Sequence, residues 1–285
     1  MSSGLAYGAG VQVSLASMFN ADDVLRYSGS AFTTPGISWD NPTGSNNDNW
    51  MVTQSAANQL ATSQGLTSPA PVGFNDNGLY PASGARLYDV QLGFTNTTPT
   101  GTNVVFRQNT AGNFSFNVPT NYYSQFAIFG SSGSGSTNLT ITLNYTSGSP
   151  TVLSNVTLPD WYSGNPGTTA AGAAGTYFAL TAPMSRQAVP TFPTGGYQVP
   201  NVGASGAYVY GINLAPDSTR TLSSVAVSFT PATPGYTAAN FVAAAGAVAA
   251  GSTGTPTPAP GTLILLLIGL SLAGWYSVRG RRKAF

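Results

Sequence analysis

The sequence predicts an all-β chain: a single two-sheet β-sandwich of jelly-roll type over residues 11–250, followed by one C-terminal transmembrane helix. Three observations carry this expectation. Several short runs alternate apolar and polar residues, which is the period-2 signature of strands with one face in a core. Gly, Pro and Asn turns separate those runs, and no amphipathic helical stripe stands out between them. Finally, an uncharged stretch of 17 residues, Thr262–Val278, stands directly before an Arg-rich end.

The strand runs are taken in chain order. Val104–Arg107 opens the series. Phe114, Phe116 and Val118 then alternate with Ser115 and Asn117. Ser124–Gly130 comes next, and Leu139, Ile141, Leu143 and Tyr145 alternate with Thr140, Thr142 and Asn144. A hairpin turn at Thr146–Pro150 leads into Val152–Leu158. Tyr208–Leu214, the alternating run Val225, Val227 and Phe229, and Asn240–Val248 complete the set. Many short strands joined by turns point to two packed sheets. Residues 160–206 read instead as a Gly/Ala/Pro-rich insertion of low strand content. So long a loop in a compact domain suggests a lid or a binding rim.

Composition narrows the chemistry. Nine Lys and Arg face eight Asp, Glu is absent, and so are His and Cys. These zeros exclude disulfides, a thiol nucleophile, a Cys/His zinc site, a Ser-His-Asp triad and a catalytic Glu. Charged residues make up 6% of the chain, against about 25% in ordinary globular proteins. Arg279, Arg281, Arg282 and Lys283 crowd into the last seven residues, which leaves the body with five Arg against eight Asp. Such a body cannot neutralise a run of phosphates, so no nucleic-acid partner is expected. No enzyme is expected either. An Asp-dependent hydrolase is the distant alternative, because Asp22 and Asp23 are adjacent and the other six Asp are dispersed. Asp160 and Asp217 sit in turn sequences, where a carboxylate accepts backbone N–H groups.

The C-terminal region divides into three parts. Residues 251–261 form a Gly/Ser/Thr/Pro linker. Residues 262–278 include Leu263, Ile264, Leu265, Leu266, Leu267 and Ile268, with Trp275 and Tyr276 as anchors at the inner interface. As a helix they would span about 26 Å, near the lower limit for crossing a bilayer core. The basic tail 279–285 would stay in the cytoplasm by the positive-inside rule, which places the body outside. An external body needs an export signal, yet residues 1–25 contain no Lys or Arg. Residues 1–10 therefore read as the remnant of a signal peptide whose start lies upstream, the alternative being insertion by the C-terminal helix alone.

In Pro258, Ala259, Pro260, Gly261 and Thr262, followed by an apolar span and an Arg-rich end, the tail resembles the PEP-CTERM sorting signal of Gram-negative bacteria. Ala259 stands where that family carries Glu. The resemblance implies a membrane-bound processing enzyme of exosortase type as a partner and a cell-surface or secreted destination. The body is similar to ectodomains of PEP-CTERM proteins in the run from Tyr123 to Gly167 and again from Tyr208 to Pro231. It implies a sandwich of galactose-binding or jelly-roll type, and no activity.

Two site types remain for the body. Asp40, Asn46 and Asp48 lie in an Asn/Asp-rich loop that could supply the oxygens of a structural Ca²⁺. Asn75-Asp76-Asn77-Gly78 is a shorter loop of the same kind. No other cofactor is expected. Trp161, Trp50, Trp39 and Tyr162 fall in expected loops, where exposed rings could stack on a sugar face. The leading expectation is a structural or adhesive protein of the cell surface or extracellular matrix. A carbohydrate-binding module contacting polysaccharide through loop aromatics is the alternative.

Overall fold

The structure is a computed structural model that describes residues 10–40, 48–66, 70–93, 102, 104–108, 112–199, 206–231 and 238–250. The chain divides into two units, Met1–Ser252 and Thr253–Phe285, and every described residue belongs to the first. The expected sorting motif, transmembrane helix and basic tail lie outside the described residues, as do residues 1–9. Among the described residues no helix is long and apolar enough to cross a membrane.

The described residues are mostly β, with one α-helix and two short 3₁₀ turns, Ala16–Met18 and Val189–Thr191. The strands are β1 Val11–Val13, β2 Val24–Ser28, β3 Ala31–Thr33, β4 Asn49–Val52, β5 Leu79–Tyr80, β6 Val90–Gln91, β7 Val105–Gln108, β8 Gly112–Asn121, β9 Tyr123–Gly133, β10 Thr137–Tyr145 and β11 Thr151–Leu158. They continue as β12 Tyr177–Ala179, β13 Arg186–Ala188, β14 Tyr197–Gln198, β15 Tyr210–Asn213, β16 Leu222–Pro231 and β17 Ala238–Val248. Every strand expected from alternation is present within a few residues of its expected ends.

β11-β10-β16-β8 form a four-stranded antiparallel sheet. Its inner face carries Phe114, Phe116 and Val118 from β8, Leu139, Ile141 and Leu143 from β10, and Val225, Val227 and Phe229 from β16. On β10 the residues between them, Asn138 and Thr140, are exposed. This sheet is amphipathic because only one of its faces is covered. The opposing layer is the sheet β1-β17-β9-β15-β12, to which β7 adds beside β17. Phe126 and Ile128 of β9 and Phe241 of β17 share the inner core with the four-stranded sheet.

The six-stranded sheet is buried on its other face as well. Ala127 and Phe129 of β9 and Val242, Ala243, Ala245 and Ala247 of β17 enter a second core. Trp39, Phe74, Tyr88, Trp161 and Val209 close that core from outside the sheet. A register shift between Phe241 and Ala243 gives β17 a bulge, so Val242 and Ala243 enter the same core one after the other. β17 is mostly Ala because a strand covered on both sides has little depth for large side chains.

A third layer corrects two expectations. Residues 160–206 are not a bare loop: they supply β12 to the six-stranded sheet and β13 and β14 to a separate sheet, β14-β13-β4-β2-β3. In that sheet β2 and β4 run parallel and the other pairs antiparallel. A helix, which the sequence did not signal, covers it: α1, Gln54–Ser63. Its buried stripe is Ala56, Ala57, Leu60 and Ala61, packed on Leu25, Trp50, Val52 and Tyr197. A stripe of three Ala and one Leu gives a weak apolar period. Capping fixes the start instead, since the Thr53 hydroxyl accepts from the Ala56 N–H and Asp76 accepts from the Ser55 N–H at 2.9 Å and its hydroxyl at 2.5 Å.

Core and edge should respond differently to truncation. Ile141→Ala removes a fully buried side chain and should lower unfolding free energy by about 2–5 kcal/mol. Val152→Ala acts on a side chain 53% exposed and should stay within about 0.5 kcal/mol of the parent. Urea unfolding of both variants checks the assignment.

Candidate functional site

The tryptophans expected as surface rings are interior. Trp39 and Trp161 are fully buried and Trp50 nearly so. Burial is tolerable because each indole N–H finds an acceptor. Trp39 Nε1 donates to Ser131 Oγ at 3.0 Å, Trp50 Nε1 to the Ile37 carbonyl at 2.9 Å, and Trp161 Nε1 to Asp40 Oδ1. The Trp39 and Trp161 rings lie 6.4 Å apart between centroids. A ring enclosed in this way cannot stack on a sugar. Tyr162 is half-buried, and the Arg186 guanidinium lies over its ring at 4.0 Å from the centroid, a cation–π contact that occupies one ring face.

The fold brings Trp161, Tyr162, Arg186 and Asp40 to one polar cluster, while Trp50 belongs to the separate core beneath α1. Asp40 joins the cluster through two hydrogen bonds. Its Oδ1 takes the Trp161 N–H, and its Oδ2 takes the Asn49 side-chain N–H at 3.1 Å. Asp160 accepts the Gly135 N–H at 2.5 Å and the Tyr162 N–H at 2.8 Å, so it is a turn brace, in keeping with its Leu-Pro-Asp-Trp context. Gly133 permits the close approach of this region to β9: a Cβ there would lie 2.2 Å from the Trp39 carbonyl oxygen. Burial pushes the Asp40 carboxyl up to about 6. The Trp161 and Asn49 hydrogen bonds pull it back down, the charge of Asp160 raises it, and Arg186 lowers it. Nearby, Asp22 holds the buried Arg26 through two hydrogen bonds, at 3.0 and 2.6 Å. Burial, then the charge of Asp22, raise the Asp23 carboxyl well above its ordinary range.

The Ca²⁺ expectation fares poorly on this geometry. Both Asp40 oxygens face N–H donors, which suit an anion and repel a cation. Asp48 is buried, and Asn46 lies outside the described residues. Among the described residues no group of three or more acidic, His or Cys side chains could hold a metal ion. The Asn75–Gly78 loop spends its carboxylate on the start of α1.

Two hollows border the 160–180 segment, neither of which was legible in the sequence. One is an open groove of about 420 Å³ lined by Asn155, Thr157, Asn165, Thr168, Thr176 and Tyr177, with Gly167 and Gly175. The other, about 250 Å³, shares Thr168 with the first and is lined by Ser83, Arg86, Thr169, Phe178 and Leu180 among others. Arg86 is buried and donates to the carbonyls of Tyr80, Tyr88 and Pro81 at 3.1, 3.0 and 2.7 Å. Its guanidinium holds a turn together as well as facing the hollow.

Compared with family models, with curated proteins and with solved structures, the chain matches none.

The raised Asp40 carboxyl fixes a pH dependence. Its folded value, about 6, lies above the ordinary 3.8, so the unfolded chain gives up its proton first as pH rises. The stabilisation is complete below about pH 4 and is lost as pH climbs through about 6, a change of about 3 kcal/mol. Asp23 shifts in the same direction. Asp40→Asn should therefore flatten the fall in melting temperature between pH 4 and 6.5 without abolishing it. An unchanged slope would mean that Asp40 is ionised in the fold throughout.

Proposed function

We propose that this chain is an exported structural or adhesive protein of the cell surface or extracellular matrix, carried by a C-terminal sorting and anchoring signal of PEP-CTERM type. The observation that supports it is the placement of the boundary. The last strand of the doubly covered sheet ends at Val248, and the first unit ends at Ser252. Residues 251–285 read in sequence as linker, sorting motif Pro258–Thr262, apolar span and basic tail. A finished domain ahead of a separate sorting segment is the arrangement such a signal requires. An exosortase-type enzyme is the partner proposed for the motif, and the membrane the partner for residues 262–278.

In finer terms, the two facing sheets are proposed to be a sandwich of jelly-roll or galactose-binding type, with the third layer added on the outer face of the six-stranded sheet. The exposed face of the four-stranded sheet presents Asn138, Thr140 and their neighbours without charge. Such a face holds hydrated glycan by hydrogen bonds, with little electrostatic steering.

Topology is the test. With an export signal placed in front, alkaline phosphatase inserted before Gly251 should be active outside the cytoplasm, and the same reporter after Phe285 should be silent. Activity from the Phe285 fusion alone would overturn the orientation.

A further inference from the structure

We propose that the groove between the edge strands β11 and β12 is a binding site for a neutral saccharide. This rests on the adhesive reading above and names the surface that would serve it. β11 is the outer strand of the four-stranded sheet and β12 the outer strand of the six-stranded one. The two edges come together where Gly175 meets Val156: a Cβ on Gly175 would lie 3.3 Å from the Val156 side chain. Here β11 is bulged. Leu139 pairs with Val156 and Ile141 with Leu153, so Ser154 and Asn155 together oppose the single residue Thr140. Asn155 takes a left-handed conformation, φ 55°, which Asn adopts more readily than other residues with a side chain. Asn155 is exposed and lines the groove.

The facing wall is built as carefully. Asn165 Oδ1 accepts the Gly167 N–H at 2.9 Å, and its Nδ2 donates to the Tyr177 hydroxyl at 3.1 Å. Tyr177 is thereby held as an acceptor from Asn165, which leaves its own proton to donate to a ligand. Gly167, at φ +76°, sits so close to the Tyr177 ring that a Cβ would lie 2.5 Å from it, and Tyr210 packs edge-on at 5.5 Å. The phenol is therefore fixed in place. Thr168 Oγ1 donates to the Tyr177 carbonyl at 3.0 Å and keeps its lone pairs. Donors and acceptors are thus offered by Asn155, Asn165, Thr168 and Tyr177, and among the described residues no carboxylate, ammonium or guanidinium lines the groove. Groups that both give and take hydrogen bonds, without charge, match sugar hydroxyls. The volume, about 420 Å³, lies within the range of small-ligand sites. An added peptide strand fits less well, because the bulge interrupts the regular ladder that strand addition needs.

The full-length chain in mild detergent is passed over immobilised dextran, mannan, galactomannan and β-1,3-glucan, with alginate as an anionic comparator. At least one neutral polysaccharide should retain it, equally at low salt and at high salt. Asn155→Gly keeps the backbone conformation and removes the amide, and Tyr177→Phe removes only the hydroxyl. The two together should weaken retention about tenfold or more, with melting temperature unchanged, while Asn138→Ala on the outer face should bind as the parent does. If Tyr177→Phe lowers the melting temperature, Asn155→Gly alone decides. Undiminished retention of the double variant would overturn the groove and leave the adhesive reading standing. Salt-sensitive retention by alginate alone would overturn it in favour of the hollow beside Arg86. Failure of the parent on every neutral polysaccharide would overturn the groove and glycan adhesion together, and leave the sorting signal untouched.

Discussion

Two long strands, β9 and β17, lie at the middle of a sheet that must be covered twice. Each is buried along nearly its whole length, and the rest of the domain is arranged to satisfy that requirement. On one side the four-stranded sheet supplies a conventional apolar face. On the other the cover is assembled from loops and short strands: Trp39, Trp161, Tyr88 and Phe74, with Val24 of β2, Met51 of β4 and Val90 of β6. Large aromatic side chains fill the irregular space that short segments leave, provided their polar edges are met. Ser131, Asp40 and Ser163 do this, for Trp39, Trp161 and Tyr210. The third layer, with α1, rests on this cover and has a small core of its own.

The same asymmetry decided which elements were legible in the sequence. β8, β10 and β16 have one wet and one dry face, so their residues alternate, and their positions could be read directly. The segments of the outer cover carry no such record. β5, β6 and β14 are two residues long, too short for any period. α1 buries mainly Ala, which hydropathy scarcely separates from its surroundings. The parallel pairing of β2 with β4 joins segments whose partners cannot be told from local pattern. The stretch after residue 160 looked like a loop because its strands are three residues or fewer and belong to two different sheets.

The polar cluster was legible in its members and not in its role. Asp40, Trp161 and Tyr162 stand out in the sequence as the kinds of residue that bind ligands, Asp160 as a turn cap, and the fold does unite them. Their position beneath the central sheet turns the same groups inward, where the carboxylates brace the cover. The edge groove shows the reverse. Asn155 and Tyr177 are ordinary residues in a Thr- and Gly-rich chain, and only the bulge of β11 and the wrap of residues 163–177 set them face to face.

The burial of Trp39, Trp50 and Trp161 also gives the domain a built-in optical probe. Indoles shielded from water emit at shorter wavelength than exposed ones, and the described unit contains no other Trp. Its emission therefore comes wholly from the interior of the cover and the small third-layer core. Trp161 donates directly to Asp40, so the brightness of that indole is coupled to the protonation of a single carboxyl group. Loosening of the outer layers, while β8, β10 and β16 stay folded, would register as a red shift before the far-ultraviolet β signal changed.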